Sequence, residues 1–223
     1  ASSDPNNVVT LISINDGGAS YDAYELRWAA SSTGNPVMAT TFGSNTASNA
    51  SSSGLTVNTG TWYHGAAVFT NATSRIAYVN GGNSGSDNTS RTGSGMNITN
   101  IAARAITGTY GRFFPGSIAG AGVWNVDLTA DEIADLYNNG IGADPSLVRP
   151  DALVASWRFI DNDTDWWSQY NLTATNSPTF TQHPPMIYPN GIYCPERYVA
   201  PPSTGSGFFM YRNRSSMRAM LRR

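Results

Sequence analysis

Hydrophobic and polar residues alternate in short runs along most of this chain. The runs are rich in β-branched and aromatic residues, and clusters of Gly, Asn, Ser and Pro separate them at residues 8–14, 25–29, 37–42, 62–70, 75–80 and 97–105. Short strands with turn signals between them predict an antiparallel sandwich or jelly roll. Residues 43–60 are small and polar and predict either a long loop or a weak edge strand. Residues 81–95 predict a second loop.

One segment, residues 130–138, has a helical pattern instead. Thr129 precedes it, and Glu132 stands three positions after Thr129, which is the spacing of a capping box. Gly140 is predicted to end the helix in the left-handed conformation. We therefore interpret this helix and Glu132 as structural.

Further strands are predicted on both sides of this helix. Residues 116–124 predict a central strand lightened by glycines, and residues 153–159 predict another strand after a proline-marked connector. The order of strands, hairpin and capped helix between Trp62 and Gly140 resembles the laminin-G/concanavalin A-like jelly roll. The segments that carry this resemblance are residues 62–69, 75–81 and 116–124. These segments are motifs that define a fold and do not indicate an activity.

The resemblance extends over residues 8–183 and implies an all-β, two-sheet antiparallel jelly-roll sandwich with one short helix. Residues 1–183 would form this domain in a permuted order, with closing strands at 152–183. Residues 184–223 are rich in Pro, Gly and Arg and predict an extended C-terminal arm.

Charge divides the chain unevenly between the body and this arm. Residues 1–196 hold seven Arg and fifteen acidic residues, a net charge of −8, whereas residues 197–223 hold six Arg and no acid, a net charge of +6. An acidic body with a basic end favours an intermolecular contact. No apolar run approaches the length of about 18 residues that a membrane-spanning helix needs, so we expect no membrane partner.

Carboxylate chemistry has little support in this sequence. Sandwich glycosidases need two carboxylates close together as nucleophile and acid. The glutamates of the chain are Glu25, Glu132 and Glu196, with no Glu-x-Asp-x-x-Glu pattern. His64 lies inside an apolar strand, which favours a core or groove residue, and Cys194 and His183 have no metal or triad spacing. We expect no catalytic residue and no enzyme.

Calcium is a second candidate chemistry, because carboxylate oxygens are the ligands that Ca²⁺ prefers. Many laminin-G-like domains bind Ca²⁺ at one rim, and donors of that type here are Asp16, Asp22, Asp87, Asp161, Asp163 and Asp165. The EF-hand glycine and terminal glutamate are missing from the last three, so a solvated turn is favoured. We predict no required cofactor and no metal site, and Ca²⁺ binding stays open as the alternative.

Aromatic platforms for a glycan are a third candidate, because sugar C–H groups stack on aromatic faces. The residues that could supply them are Trp28, Trp166, Trp167, Tyr21, Tyr24 and Tyr110. Trp62, Trp124 and Trp157 are predicted core residues. The Trp166–Trp167 pair stands in an acidic turn and is the preferred glycan or protein contact.

The arm is the last candidate. Its aromatic, Met and Arg side chains are Phe208, Phe209, Met210, Tyr211, Arg212, Arg214, Arg218, Arg222 and Arg223. Three interpretations stay open: phosphate contacts with a nucleic acid, a solvated basic end, or docking into a neighbouring protein. Docking is preferred, because aromatic and Met side chains add nothing to phosphate binding.

Laminin-G-like domains that continue into segments such as residues 153–157, 171–173 and 183–185 and an Arg-rich tip look like proteins of tailed-phage genomes. That resemblance implies a non-enzymatic virion structural protein, such as a capsid decoration, head spike or fibre component. Its partners would be other virion proteins, further copies of itself and a glycan. The alternative is a carbohydrate-binding, lectin-like module of a secreted or cell-surface protein, and a glycosidase comes third.

Overall fold

The computed structural model describes residues 8–29, 36–51, 58, 60–160, 164–165, 169–180, 183–184 and 186–189, and the backbone of residues 191–193. The chain is mostly β, and its antiparallel sheets form a sandwich consistent with a concanavalin A-like jelly roll, so the predicted fold class is confirmed. The chain divides into two compact units, residues 1–58 with 65–116 and residues 59–64 with 117–223. Within the described ranges, no helix has the length and apolar character to cross a membrane.

The first unit holds two antiparallel sheets and a hairpin. Its strands are β1 Val8–Asn15, β2 Ala23–Ala29, β3 Val37–Gly43, β4 Thr46–Ser51, β5 Gly65–Asn71, β6 Ser74–Val79, β7 Asn83–Asp87, β8 Ile98–Ile101, β9 Arg104–Ile106 and β10 Thr109–Gly111. In the larger sheet the strands lie in the order β4-β3-β2-β1-β8, and in the smaller sheet in the order β5-β6-β7. Strands β9 and β10 pair as a separate hairpin.

Three sequence predictions change in this unit. Residues 46–51 form the edge strand β4, which resolves the alternative between loop and strand. Residues 81–95 were expected to be a loop, but residues 83–87 form β7, because they pair along β6. The expected strand over residues 97–105 is interrupted at Ala102, whose φ of +62° is left-handed and ends β8 before β9 begins.

Small side chains let the two sheets of the first unit approach each other. Ala39 and Ala50 of the larger sheet form a buried cluster with Ala77 of the smaller one. Nearby, the rings of Tyr24 and Phe69 meet edge to face with centroids 5.0 Å apart. The sandwich core therefore lies between these faces, as the alternating pattern of the strands predicts.

One charged side chain, Arg75, is buried in this core. Its Nε donates to Thr41 Oγ1 at 3.1 Å, and its Nη2 donates to the carbonyl oxygens of Ala72 at 2.8 Å and Thr89 at 3.0 Å. Its Nη1 forms an ion pair with Asp87. A buried guanidinium with this many acceptors is a structural tie across both sheets and the following loop.

The second unit contains two antiparallel strand pairs, β11 with β12 and β13 with β14, together with the helix and two short 3-10 helices. Its elements are β11 Ala121–Trp124, α1 Ala130–Tyr137, the turns Asn138–Gly140 and Pro145–Leu147, β12 Leu153–Trp157, β13 Met186–Tyr188 and β14 Gly191–Tyr193. The predicted strand over residues 116–124 is shorter than expected. Gly120 has a φ of +57°, and a Cβ there would lie 2.7 Å from Met186 Cε, so the strand starts after Gly120.

The predicted capping box of α1 is confirmed. The Glu132 backbone N–H donates to Thr129 Oγ1 at 3.3 Å, and Glu132 Oε2 accepts from the Thr129 N–H at 2.8 Å. The predicted C-terminal stop was wrong by two residues, because Asn138 with a φ of 45° is the C-cap and Gly140 follows it. Asn tolerates the left-handed region better than most residues, so it can end a helix without glycine.

Candidate functional site

Polar side chains line the face of the larger sheet that points away from the sandwich core. Ser13 of β1 lies opposite Glu25 of β2, and Glu25 lies opposite Thr40 of β3, so the three side chains share one face. On the β8 side, Asn100 lies opposite Ser13. Ser13, Glu25 and Thr40 are fully buried. We call this the polar face.

A chain of hydrogen bonds runs along the polar face and ends on a carboxylate. Asn15 Nδ2 donates to Ser13 Oγ at 3.0 Å, and Ser13 Oγ lies 3.0 Å from the hydroxyl oxygen of Tyr21. The Tyr21 hydroxyl donates to Glu25 Oε1. Since Tyr21 gives its one proton to Glu25, Ser13 is the donor to Tyr21, and all three donors point towards Glu25.

Two guanidinium groups accompany this carboxylate. Arg27 Nε lies 3.3 Å from Glu25 Oε2, and the Arg27 Cζ lies 5.5 Å from the Phe42 ring centroid. Arg104 of β9 stacks its guanidinium over Tyr21, with 4.9 Å between Cζ and the ring centroid, and lies 5.6 Å from the Phe42 centroid. These distances are those of cation–π contacts.

Burial controls the titration of this cluster. Desolvation raises the pKa of Glu25, although the charges of Arg27 and Arg104 and the Tyr21 hydroxyl oppose the shift. Desolvation, followed by the charge of Glu25, raises the pKa of Tyr21. Desolvation also lowers the pKa of Arg27. Burial therefore disfavours the charged forms of both Glu25 and Arg27.

The β9–β10 hairpin covers the polar face, and we call it the strap (residues 104–111). Ile106 packs against the cluster of Tyr21, Ala23 and Phe42, beside the stacked Arg104. At the tip of the strap, the Thr107 N–H donates to the carbonyl oxygen of Gly17 at 3.0 Å. The strap thus closes a charged, aromatic-lined face inside the first unit.

Comparison with protein families identifies the superfamily to which this fold belongs. A model described as the concanavalin A-like lectin/glucanases superfamily, of the laminin-G type, matches residues 1–134, which is more than half of the chain. The chain belongs to this superfamily. Neither a curated protein nor a solved structure matches it. The match includes the whole first unit, whereas the predicted extension of the jelly roll to residue 183 and the arm boundary at residue 184 stay predictions.

Within this superfamily domain, two residues weighed for catalysis lie in structural surroundings. Glu132 caps α1, and the backbone N–H of Thr129 lowers its pKa. His64 is 3% exposed, its ring centroid lies 6.3 Å from that of Tyr137, and burial lowers its pKa to about 4. These observations agree with the predicted core position of His64.

His183 is also buried, and its ring nitrogens face backbone carbonyl oxygens. Nδ1 lies 2.5 Å from the Pro184 oxygen, and Nε2 lies 2.7 Å from the Arg158 oxygen. Arg158 in turn donates through Nε to Asp144 Oδ2 at 2.6 Å. This histidine therefore connects the segment before β13 to Arg158, the residue that follows β12.

The aspartates weighed as calcium donors accept hydrogen bonds from loops in the part of the chain that the structure describes. Asp16 Oδ1 accepts from the N–H groups of Gly18 and Asp22, and Asp22 accepts from Ser44 and Ser94. The backbone N–H of Ser44 is the main cause that lowers the pKa of Asp22. Within the described ranges, no three His, Cys, Asp or Glu side chains converge on a metal-sized site. Asp87 is half-buried and forms an ion pair with the buried Arg75.

The predicted solvated turn around residue 165 was wrong at Asp165. This side chain is 1% exposed and accepts from the N–H groups of Ser156, Gln169 and Tyr170 at 2.8, 3.2 and 3.3 Å. Asp161 and Asp163 lie outside the described residues. Asp165 organises the segment after β12, since three backbone donors converge on it.

The predicted aromatic platforms divide by burial. Tyr21 and Trp28 are buried, so their assignment as platforms was wrong, whereas Tyr110 is 44% exposed and keeps it. Tyr24 is half-buried against Phe69. The core prediction holds for the buried Trp62 and Trp157. Trp124 differs, because it is half-buried and its Nε1 donates to the Val148 oxygen at 2.9 Å.

Several predicted site residues lie outside the described residues. They are Trp166, Trp167, Cys194, Glu196 and the arm set Phe208, Phe209, Met210, Tyr211, Arg212, Arg214, Arg218, Arg222 and Arg223. Their proposed contacts stay predictions from sequence.

The sequence patterns did not predict the polar face. The available signal was the alternation in β2, where the charged Glu25 and Arg27 are separated by Leu26 and therefore share a face. Arg104 could not be added to them from the sequence, because it comes from a hairpin that is distant along the chain.

Proposed function

We propose that this chain is a non-enzymatic adhesive module whose β-sandwich binds a carbohydrate or another protein surface. The observation that carries this proposal is the exposure of two aromatic side chains, one in the second strand of the strap and one two residues after it. Tyr110 is 44% exposed and Phe113 is 48% exposed, in a superfamily that includes lectins. Exposed aromatic faces stack on sugar rings and anchor protein interfaces. The non-enzymatic part is supported by the role of Glu132, whose carboxylate is taken up by the capping box of α1.

The test is adhesion of the full chain to a glycan array and to whole cells. Tyr110→Ala and Phe113→Ala should each lower binding by about tenfold, the order of one stacked aromatic contact. Tyr170 is 52% exposed in the second unit, so Tyr170→Ala serves as a matched control. Unchanged adhesion of both the Tyr110→Ala and the Phe113→Ala variants would reject this surface.

We further propose that the module is a structural component of a tailed-phage virion, anchored through its C-terminal arm with the sandwich facing outward. The charge division supports this proposal, because the last 27 residues carry six Arg and no acid beside a body of net charge −8. Burial of the arm in a capsid, portal or fibre protein would supply affinity, and several copies would supply avidity.

Removal of residues 203–223 should abolish incorporation into particles and leave glycan binding intact. A full-length variant with Ser at Arg212, Arg214 and Arg218 tests the same anchoring without truncation. Full occupancy of particles by both variants would contradict the anchoring role. Glycan binding without any particle incorporation of the intact chain would favour the alternative, a lectin-like module of a secreted or cell-surface protein.

A further inference from the structure

The polar face has a surplus of positive charge. Arg27 and Arg104 both contribute guanidinium groups, whereas Glu25 contributes one carboxylate. In the ranges that the structure describes, Arg104 has cation–π contacts with Tyr21 and Phe42 but no ion pair. Arg27 is buried and Arg104 is half-buried, so two positive charges with one counter-charge favour the approach of an anion.

Several polar atoms on this face also lack hydrogen-bond partners among the described residues. They are Glu25 Oε2, Arg27 Nε and Asn100 Nδ2, and each of these atoms is buried. The ion pair of Arg27 with Glu25 at 3.3 Å does not have hydrogen-bond geometry. Buried polar groups are normally satisfied, so these atoms are positions at which a water molecule or a ligand group could complete the hydrogen bonding.

The strap is a short hairpin anchored at its base to β1, because the Ala102 N–H donates to the Leu11 oxygen at 2.8 Å and the Thr10 N–H donates to the Arg112 oxygen at 2.9 Å. It is flanked by Ala102 with a φ of +62° and Arg112 with a φ of +52°, and both residues are left-handed without being glycine. Such conformations cost free energy and concentrate at ligand clamps. The pairing of the strap is short, from Arg104 opposite Gly111 to Ile106 opposite Thr109.

We propose that the polar face is a gated binding site for a hydroxylated anion, namely a sugar that carries a carboxylate or a phosphate. The anionic group would accept from the guanidinium groups of Arg27 and Arg104, and a sugar hydroxyl would donate to Glu25 Oε2. The strap would open to admit the ligand and close with Arg104 on it. This inference rests on the proposed adhesive function and assigns it a second, charge-selective site.

The experiment is calorimetric titration of the full chain with glucuronate, glucose 6-phosphate, glucose and acetate. Either sugar anion should bind at least about tenfold more tightly than glucose, because a charge-assisted hydrogen bond contributes that much. Acetate should also bind more weakly than glucuronate, because it has no hydroxyl for Glu25. The stronger of the two sugar anions identifies the carboxylate or the phosphate as the natural group. Equal affinities for glucose and both sugar anions would overturn the proposal.

Arg104→Gln should weaken sugar-anion binding by about tenfold or more, whereas Arg149→Gln, the same charge change in the second unit, should leave it unchanged. Arg104→Lys keeps the charge but loses the planar fork, so its affinity should lie between those of the wild type and Arg104→Gln. Wild-type affinity in the Arg104→Gln variant would overturn the role of Arg104.

Hydrogen exchange of the strap tests the gate independently of affinity. Amides of residues 104–111 should exchange more slowly when glucuronate or glucose 6-phosphate is bound, and glucose should have no such effect. Anion binding without any change in the strap would overturn the gate. The calorimetric titration, the Arg104 variants and hydrogen exchange could all give negative results while the chain still binds the glycan array in a way that depends on Tyr110. That outcome would reject the polar face as a binding site and leave the adhesive function standing.

Discussion

The two faces of the larger sheet both bury charge, but they treat it differently. On the core side, Arg75 has an acceptor for each of its guanidinium nitrogens. On the polar face, Arg27 and Glu25 meet at 3.3 Å and leave one atom each without a hydrogen bond. A fully paired buried charge is explained by the fold alone. A buried charge with incomplete hydrogen bonding costs free energy that the fold does not recover. The polar face is therefore the better candidate for a ligand-binding site.

The largest expected effect that tests this comparison is the loss of Arg75. Arg75→Met should lower the free energy of unfolding by about 3 kcal/mol, because it leaves Asp87, Thr41 and two carbonyl oxygens without their donor. Urea denaturation followed by circular dichroism measures it. Arg149→Met removes an exposed arginine with ion pairs to Glu132 and Asp151, and it should leave the midpoint unchanged.

Equal midpoint shifts in the two arginine variants would contradict the structural role of Arg75. Arg27→Met gives the sharper contrast with it. The partner left behind, Glu25, has a raised pKa and can take up a proton, so the loss should be smaller than for Arg75→Met.

A smaller effect is expected from the hydrogen-bond chain of the polar face. Tyr21→Phe removes the hydroxyl that donates to Glu25 and accepts from Ser13, and it should cost about 1–2 kcal/mol in thermal or urea unfolding. Tyr110→Phe deletes an exposed hydroxyl and is the matched control, with no change expected. If Tyr21→Phe proved as stable as the wild type, the chain from Asn15 to Glu25 would contribute nothing to folding.

The smallest expected effect is the pH dependence of stability. Its direction should be opposite for Glu25 on the polar face and Asp87 on the core side. The folded pKa of Glu25 is raised by desolvation, so its contribution is present below the unfolded pKa of about 4.3 and is lost as pH rises through the folded pKa. Desolvation also acts to raise the pKa of Asp87, but hydrogen bonds from Thr89 and the charge of Arg75 lower it overall. Its contribution is present above the unfolded pKa of about 3.9 and is lost as pH falls through the folded pKa.

Unfolding of the wild type, Glu25→Gln and Asp87→Asn should therefore be followed from pH 3 to 8. The stability difference between wild type and Glu25→Gln should shrink or reverse as pH rises, whereas the difference for Asp87→Asn should grow from acid to neutral pH. Slopes of the same sign in both variants would show that the faces do not differ electrostatically.

Local patterns accounted for much of the fold. The strand segments around β1, β2, β3, β5 and β6 and the capping box of α1 follow from alternation and from the Thr129–Glu132 spacing. The errors arose where a distant partner decides the outcome. Strand β7 has little apolar content and forms by pairing along β6, where Asp87 lies opposite Arg75. Gly120 stops β11 early beside Met186, and the separation of these residues along the chain hides that contact.

By itself, the sequence determined the all-β class, the helix with its cap and the uneven charge of body and arm, because these depend on periodicity, short spacings and composition. Membership of the concanavalin A-like superfamily agrees with that class. The tertiary structure alone decided which charges meet. Glu25 and Arg27 share a strand face by local geometry, but Arg104 joins them only because the strap folds over the sheet. Burial then shifts their pKa values, and burial is a property of the assembled fold rather than of any segment.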